Sequence, residues 1–377
     1  MKKLLPLVAL VLLQPFAAAP PALAQASAAQ AAGKTKPSPL APGEIVAAAP
    51  KADWTAVATS DLLVMELAAD AKGKPRRVVI QLIPPPFSQG WVGNIRKLAK
   101  AHWWDGLSIN RVQDNYVVQW GDANADDKVK AKSLPVGLKV MPESEYNLTV
   151  QQFMSLRYTS FDPWNLNLEA EAGGKRQPEN SGKEPQTIDE LAGLADARLK
   201  AIGSAIVRAR EGDSYAPAVE FANGFPVAQT LDPQTGPDAW PVHCYGMVGV
   251  GRDLSPNTGT GAELYVVIGH APRHLDRNIA LVGRVIEGIE FLSSLPRGHG
   301  ALGFYDLEQG DERTGIVSIH PGVEVKDLPA YEYLSTESTS FAKYADARAN
   351  RRDAFFIRPA GGADVCNIPI PVRRVKG

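Results

Sequence analysis

The chain has 377 residues, 45% of them hydrophobic, and 40 Lys and Arg balance 41 Asp and Glu for a formal net charge of -1. That is enough apolar material for a large core in one domain or two, which excludes a chain disordered throughout. So even a charge balance also excludes the broad basic face that a nucleic-acid partner demands.

Lys2 and Lys3 precede an apolar run from Leu4 to Phe16, and Ala22-Leu23-Ala24 precede Gln25. These are the three parts of a secretory signal peptide covering residues 1–24, which predicts a periplasmic or secreted protein. The run is too short, and too broken by Pro6, Pro15, Pro20 and Pro21, to span a membrane. No cysteine follows the small-residue site, so no lipid anchor is expected either. Residues 25–53 are rich in Ala and Pro and lack aromatic residues, and they read as a flexible leader to a domain over 54–320.

Within that domain Leu62–Leu67 and Arg77–Leu82 are predicted as paired strands joined by a turn at Ala71–Pro75, and Pro84, Pro85 and Pro86 stop the second. From Ser88 to Ala101, Trp91, Ile95, Leu98 and Ala99 recur at helical spacing, with Arg96, Lys97 and Lys100 on the other side. Ser108–Val112 and Tyr116–Trp120 then form a strand-turn-strand ending at Gly121-Asp122. Arg111 lies inside it, and a guanidinium lowered into protein needs an acceptor: it is either a structural ion pair or a charge held for a ligand. Residues 123–219 change in character, with a polar stretch around 173–185 and an amphipathic helix from Ile188 to Arg210, and are predicted to be an elaboration over the core. Further strands are expected at Glu263–Ile268, Asn278–Glu287 and Val317–His320. An extension over 321–377 has helical potential near Phe341–Arg352 and a strand-like end.

Cys244 and Cys366 are the two cysteines. In an oxidising compartment they either pair, tethering the C-terminal tail to the core, or remain as separate thiols, and the sequence leaves both open. Common enzyme constellations are missing. His270 and His274 are four apart, but Pro272 opposes a shared helix face and no HExxH pattern completes a site, so no metal is expected. Gly249-Val250-Gly251 lacks the third glycine of a dinucleotide loop, and no GxSxG elbow occurs.

Two segments nevertheless match one known scheme. Residues 103–122, WWDGLSINRVQDNYVVQWGD, and residues 246–285, GMVGVGRDLSPNTGTGAELYVVIGHAPRHLDRNIALVGRV, together resemble the cyclophilin family of peptidyl-prolyl cis-trans isomerases. The resemblance spans roughly Leu62 to His320. It implies a mainly β fold: a closed antiparallel barrel of about eight strands capped by two helices, carrying a long helical insertion and a C-terminal extension. It implies Arg111 as the principal catalytic residue, with Gln119 holding the substrate carbonyl. Tyr116, Val117 and Leu275 would form the apolar floor for a proline ring, Gly251 and Arg252 would meet the extended substrate chain, and Glu263, Tyr265 and His274 would complete the lining. The implied partners are proline-containing segments of exported polypeptides, and no cofactor is implied. Among the departures from the family pattern, Val117 stands for a methionine, Glu263 for a neutral amide and Ile279 for a histidine. A carboxylate at 263 is expected to pair with Arg111, which would favour a noncatalytic peptide-binding or chaperone module, the alternative to an isomerase.

Overall fold

The computed structural model describes residues 39–148, 152, 213–232 and 236–375. The signal-like segment, residues 25–38 of the leader and the helix expected at Ile188–Arg210 lie outside them. In chain order the strands are β1 (Trp54–Val57), β2 (Leu62–Leu67), β3 (Arg76–Leu82), β4 (Ser108–Val112), β5 (Val117–Gly121), β6 (Ala218–Ala222), β7 (Phe225–Asp232), β8 (Gly236–Pro241), β9 (Met247–Val250), β10 (Leu264–Val267), β11 (Leu281–Glu287), β12 (Ile316–Pro321), β13 (Tyr331–Leu334) and β14 (Val372–Arg374). The longer helical elements are α1 (Pro42–Ala48), α2 (Gln89–Lys100), α3 (Ile289–Ser293) and α4 (Thr339–Ala349).

Eight strands form one antiparallel sheet in the order β12-β2-β3-β11-β9-β10-β5-β4. Its two edges meet at a bridge between Ser108 and Gly315, beside hydrogen bonds from Gly106 N–H to the Ile316 carbonyl (3.0 Å) and from Ile316 N–H to the Leu107 carbonyl (2.8 Å). The result is a nearly closed barrel, the β architecture expected, and closure hides edges that would otherwise pair with other chains. Alternation along each strand sorts side chains to two faces. Val118 and Trp120 of β5 and Leu264 and Val266 of β10 point into the main core, whereas Val117, Tyr265 and Val267 form a separate apolar cluster on the opposite face.

Helix α2 seals the barrel with its apolar stripe, in which Trp91, Ile95, Leu98 and Ala99 are fully buried. Its polar anchors are local to the same end: Trp91 Nε1 donates to the Gly259 carbonyl at 3.0 Å, and Asn94 Nδ2 donates to the carbonyls of Lys139 and Thr260. The other cap, α3, is a single turn of 5 residues. Among the described residues no helix is long and apolar enough to cross a membrane.

Three boundaries differ from the sequence reading. Part of the expected flexible leader is ordered as α1, whose Glu44 accepts from the Ala41 backbone at 2.7 Å, and as a 3-10 turn at Lys51–Asp53. β1, expected to open the barrel domain, instead pairs with β13 of the extension, in the sheet β1-β13-β14. The elaboration also runs past residue 219, since β6, β7 and β8 form their own antiparallel sheet. Phe221 of that sheet packs edge-on against Phe341 of α4, with ring centroids 5.0 Å apart. Insertion and extension therefore share a core. The open question of the two cysteines is resolved as a Cys244–Cys366 disulfide, with Cα atoms 5.1 Å apart, which ties that extension to the segment just before β9.

Candidate functional site

The site grows from one row of residues across four strands. Arg111 of β4 lies opposite Gln119 of β5, Gln119 lies opposite Tyr265 of β10, and Tyr265 lies opposite Gly249 of β9. Directly opposed residues share a face, so this row lies on the outer side of the barrel, over Val117 and Val267. A register shift between Ile109 and Arg111 sets the arginine onto that face. The polar Gln119 thus points outward into a groove, away from the barrel core.

Arg111 is half-buried between two aromatic rings, its guanidinium carbon 5.5 Å from the Tyr116 centroid and 5.4 Å from that of Phe304. Cation–π contact steadies the charge without neutralising it. Its Nε donates to the Leu302 carbonyl at 2.7 Å, Nη1 donates to Gln119 Oε1 at 3.1 Å, and Nη2 donates to Gln113 Oε1. A guanidinium has five N–H donors, so one hydrogen on each Nη stays available. Burial pulls the Arg111 pKa down, with Tyr116 and Glu263 acting against that shift; an arginine stays charged regardless.

Leu302 and Phe304 come from the segment after α3, which runs along the free side of β4. Gly298 N–H donates to the Val112 carbonyl at 3.0 Å, Tyr305 N–H donates to the Asn110 carbonyl at 3.0 Å, and Phe304 bridges Arg111. Gly303 makes this approach possible. Its φ is +80°, and a Cβ there would fall 2.7 Å from Gln113 Cα, a position where only glycine fits without displacement.

Glu263 does not pair with Arg111 directly, contrary to the expectation. Gln119 stands between them, accepting from Arg111 and donating from Nε2 to Glu263 Oε1 at 2.6 Å. Burial raises the Glu263 pKa, and the Gln119 hydrogen bond opposes that rise. Gly251 abuts the same carboxylate stem, since a Cβ there would lie 2.8 Å from Glu263 Cγ.

Tyr116 and Ile279 pack against Val117, Tyr265 and Val267. His274 stacks on Tyr116 with centroids 6.4 Å apart and planes 12° apart. Leu275 sits beside His274 in the turn Arg273–Leu275 but is not a member of that cluster. Arg252 is on the groove's other border, its guanidinium donating to the carbonyls of Asn278 (2.8 Å) and Asp253 (2.7 Å). The structure therefore brings Arg111, Tyr116, Val117, Gln119, Glu263, Tyr265 and His274 together through direct contacts.

Sequence reasoning missed what lies beneath Tyr265. Its hydroxyl is 2.8 Å from His243 Nε2, His243 Nδ1 is 2.8 Å from Asp276 Oδ1, and Asp276 Oδ2 accepts from Arg273 Nε at 2.7 Å. Arg273 then meets Asp213 at 2.7 Å, completing a buried chain of five polar side chains. Burial acts to raise the Asp276 pKa, but the His243 hydrogen bond and the Arg273 charge outweigh it and the result is a lowered value. Burial also holds the Tyr265 phenol well above its usual value, so it remains a neutral hydroxyl. Gly249 leaves the space for that ring: a Cβ would lie 2.3 Å from Tyr265 Cζ. The hydroxyl of Tyr265, on the otherwise apolar strand Leu264–Val267, was the available signal that something polar waited beneath. A separate concavity of about 560 Å³ shares no residue with this groove; it is lined by ion-paired Glu66, Arg77, Glu287, Asp327 and Arg374.

Comparison with known proteins gives the family and the fold. The family model described as cyclophilin type peptidyl-prolyl cis-trans isomerase/CLD matches residues 77–309. The crystal structure of the cyclophilin AquaCyp293 from Hirschia baltica is similar in fold, with a TM-score of 0.54 at 20% identity, covering 86% of this chain and 95% of that one. A Cryptosporidium parvum cyclophilin-type isomerase solved in the presence of the dipeptide Ala-Pro aligns more loosely, at a TM-score of 0.31 and 10% identity over 68% of this chain and 98% of its own. No curated protein gives a match.

Proposed function

Because the chain belongs to the cyclophilin-type peptidyl-prolyl cis-trans isomerase family, we propose that it accelerates rotation about Xaa-Pro bonds in exported polypeptides, with Arg111 stabilising the twisted imide. Unaided rotation faces a barrier of about 18–20 kcal/mol and takes tens to hundreds of seconds. In the planar ground state the prolyl nitrogen's lone pair is delocalised into the carbonyl and accepts nothing. In the twisted transition state that nitrogen pyramidalises and the pair localises, so an N–H aimed at it binds the transition state selectively. No bond is broken and no proton need leave the arginine.

The observation that carries this reading is the unfinished coordination of Arg111: three donors fix its plane, and one hydrogen on each Nη is left beside an apolar floor. Tyr116, Val117 and Ile279 offer the proline ring a surface without water, which would otherwise favour the planar, conjugated amide. Gln119 retains its second amide N–H for the substrate carbonyl. Gly251 and Arg252 border the groove where an extended chain would run. The signal-like N-terminus and the Cys244–Cys366 disulfide support an oxidising periplasmic or extracellular setting, and hence exported polypeptides as substrates.

A noncatalytic peptide-binding role has one observation in its favour, the tie from Arg111 through Gln119 to Glu263, which restrains both polar groups. Refolding of a disulfide-intact secreted protein whose slow phase is set by prolyl isomerisation tests the two readings. The isomerase reading expects that phase to quicken in proportion to the enzyme added and to be insensitive to Arg111→Ala protein. A yield increase with an unchanged slow phase would instead identify a chaperone.

A further inference from the structure

The barrel seam carries a second cluster, which shares no residue with the groove. His102 follows α2, Asp105 precedes β4, His320 lies on β12, and Glu324 ends the 3-10 turn Gly322–Glu324. His102, Asp105 and His320 each offer a ligand atom within 4.8 Å of the others. The atoms converge on one oxygen: Asp105 Oδ2 is 2.8 Å from His320 Nε2 and 3.9 Å from His102 Nδ1. Ligand atoms of a tetrahedral zinc with bonds of about 2.0–2.1 Å stand roughly 3.3 Å apart, so these two separations straddle the required one. Small side-chain rotations close the difference, since the three side chains are all partly exposed.

What raises the cluster above a chance grouping is its outer ring of partners. His102 Nε2, the nitrogen turned away from the convergence point, is 2.8 Å from Glu324 Oε2. Asp105 Oδ1, the oxygen turned away, accepts from the Ile319 backbone N–H at 3.1 Å. Metal-bound histidines characteristically give their second nitrogen to a carboxylate, which sets the tautomer and leaves the inner nitrogen's lone pair free. The two imidazoles are also stacked, with centroids 3.9 Å apart and planes 20° apart, an arrangement that two protonated rings would oppose. Two carboxylates, Asp105 and Glu324, face the cluster, and the Lys132 ammonium is turned to the Asp105 carbonyl at 3.1 Å, which leaves the locus suited to a cation.

We infer that His102, His320 and Asp105 bind a divalent transition-metal ion of the zinc class, with Glu324 orienting His102. Two imidazoles and a carboxylate suit zinc, cobalt, nickel or copper and not magnesium or calcium, which take oxygen ligands. The ion would join the end of α2 to β12 across the seam where Gly106 and Ile316 already pair, and so clamp barrel closure. Sequence reasoning weighed only the His270 and His274 pair, because Asp105 and His320 are 215 residues apart.

The test uses tag-free, chelator-treated full-length protein, titrated with Zn²⁺ by calorimetry and with Co²⁺ by visible absorption. The expected result is one ion per chain, a Co²⁺ d–d spectrum, and a thermal midpoint raised by a few degrees in excess Zn²⁺. His320→Ala and the milder, more exposed His102→Gln should each weaken binding at least tenfold and remove the thermal shift, while His270→Ala should retain both. Absence of stoichiometric binding by the wild type, or equal binding by the wild type, His320→Ala and His102→Gln, would overturn the assignment.

Discussion

Arg111 packs on Tyr116 of the apolar cluster around Tyr265, Arg273 is joined to Tyr265 through Asp276 and His243, and the protein treats the two arginines in opposite ways. Arg273 is almost entirely buried, and two carboxylates, Asp213 and Asp276, surround it. Burial lowers its pKa, but those partners reverse the shift and the net direction is upward. Among the described residues no carboxylate directly contacts Arg111; carbonyl and amide oxygens hold it, and the net shift is downward, from burial first. The difference teaches where function lies. A charge whose donors meet full opposite charges is committed to the fold, whereas one oriented by neutral groups keeps its field for a ligand.

The comparison breaks most visibly at the structural arginine's partner. Asp276→Ala leaves Arg273 half-paired and His243 without its acceptor, and should cost about 3–5 kcal/mol in urea unfolding. The folded pKa of Asp276 is depressed, so its contribution is fully present above the ordinary aspartate range and is lost as pH falls through the depressed value. The stability difference between wild type and this variant should therefore shrink only in strong acid. Arg111→Ala should show the reverse pattern: a stability change under about 1 kcal/mol, but a loss of roughly 100-fold in kcat/KM, equivalent to about 2.7 kcal/mol of transition-state stabilisation.

Gly249→Ala sharpens the contrast at the floor the two regions share. Its methyl would collide with the Tyr265 ring, so a cost of about 1–3 kcal/mol in stability is expected, with KM rising more than kcat falls. The smallest effect belongs to Glu263→Gln. The Glu263 pKa is raised on folding, so its unfavourable contribution is absent in acid and develops as pH rises through the folded value. The variant should gain on the wild type in thermal midpoint as pH rises above the ordinary glutamate range, while its Gln119 contact persists as a neutral hydrogen bond.

Much of the groove was legible because it lies in continuous segments with a two-residue period. Arg111, Tyr116, Val117 and Gln119 come from one hairpin, and the register that sets Tyr265 beside Gln119 follows from the strands on either side. Leu302, Phe304 and Gln113, which hold the guanidinium, were not legible: two of them arrive on an irregular segment whose course depends on Gly298 and Gly303. Glu263 was recognised as a carboxylate near Arg111, but chain proximity does not reveal that Gln119 intervenes. His243 was invisible because a single histidine in an apolar neighbourhood carries no local pattern, and its partner Asp276 belongs to a different loop. Helix α1 escaped for a different reason. It has only 7 residues, too few turns for a periodic signal, and a helix that short is stable only through what it packs on.

The most direct measurement is cis–trans exchange of Xaa-Pro peptides by NMR, with wild type and Arg111→Ala compared at equal concentration and peptide shift perturbations followed in the same spectra. The account predicts rapid exchange with the wild type, and with the variant exchange close to the uncatalysed rate while the shift perturbations that report binding persist. Equal acceleration by both proteins, or none by the folded wild type, would contradict it.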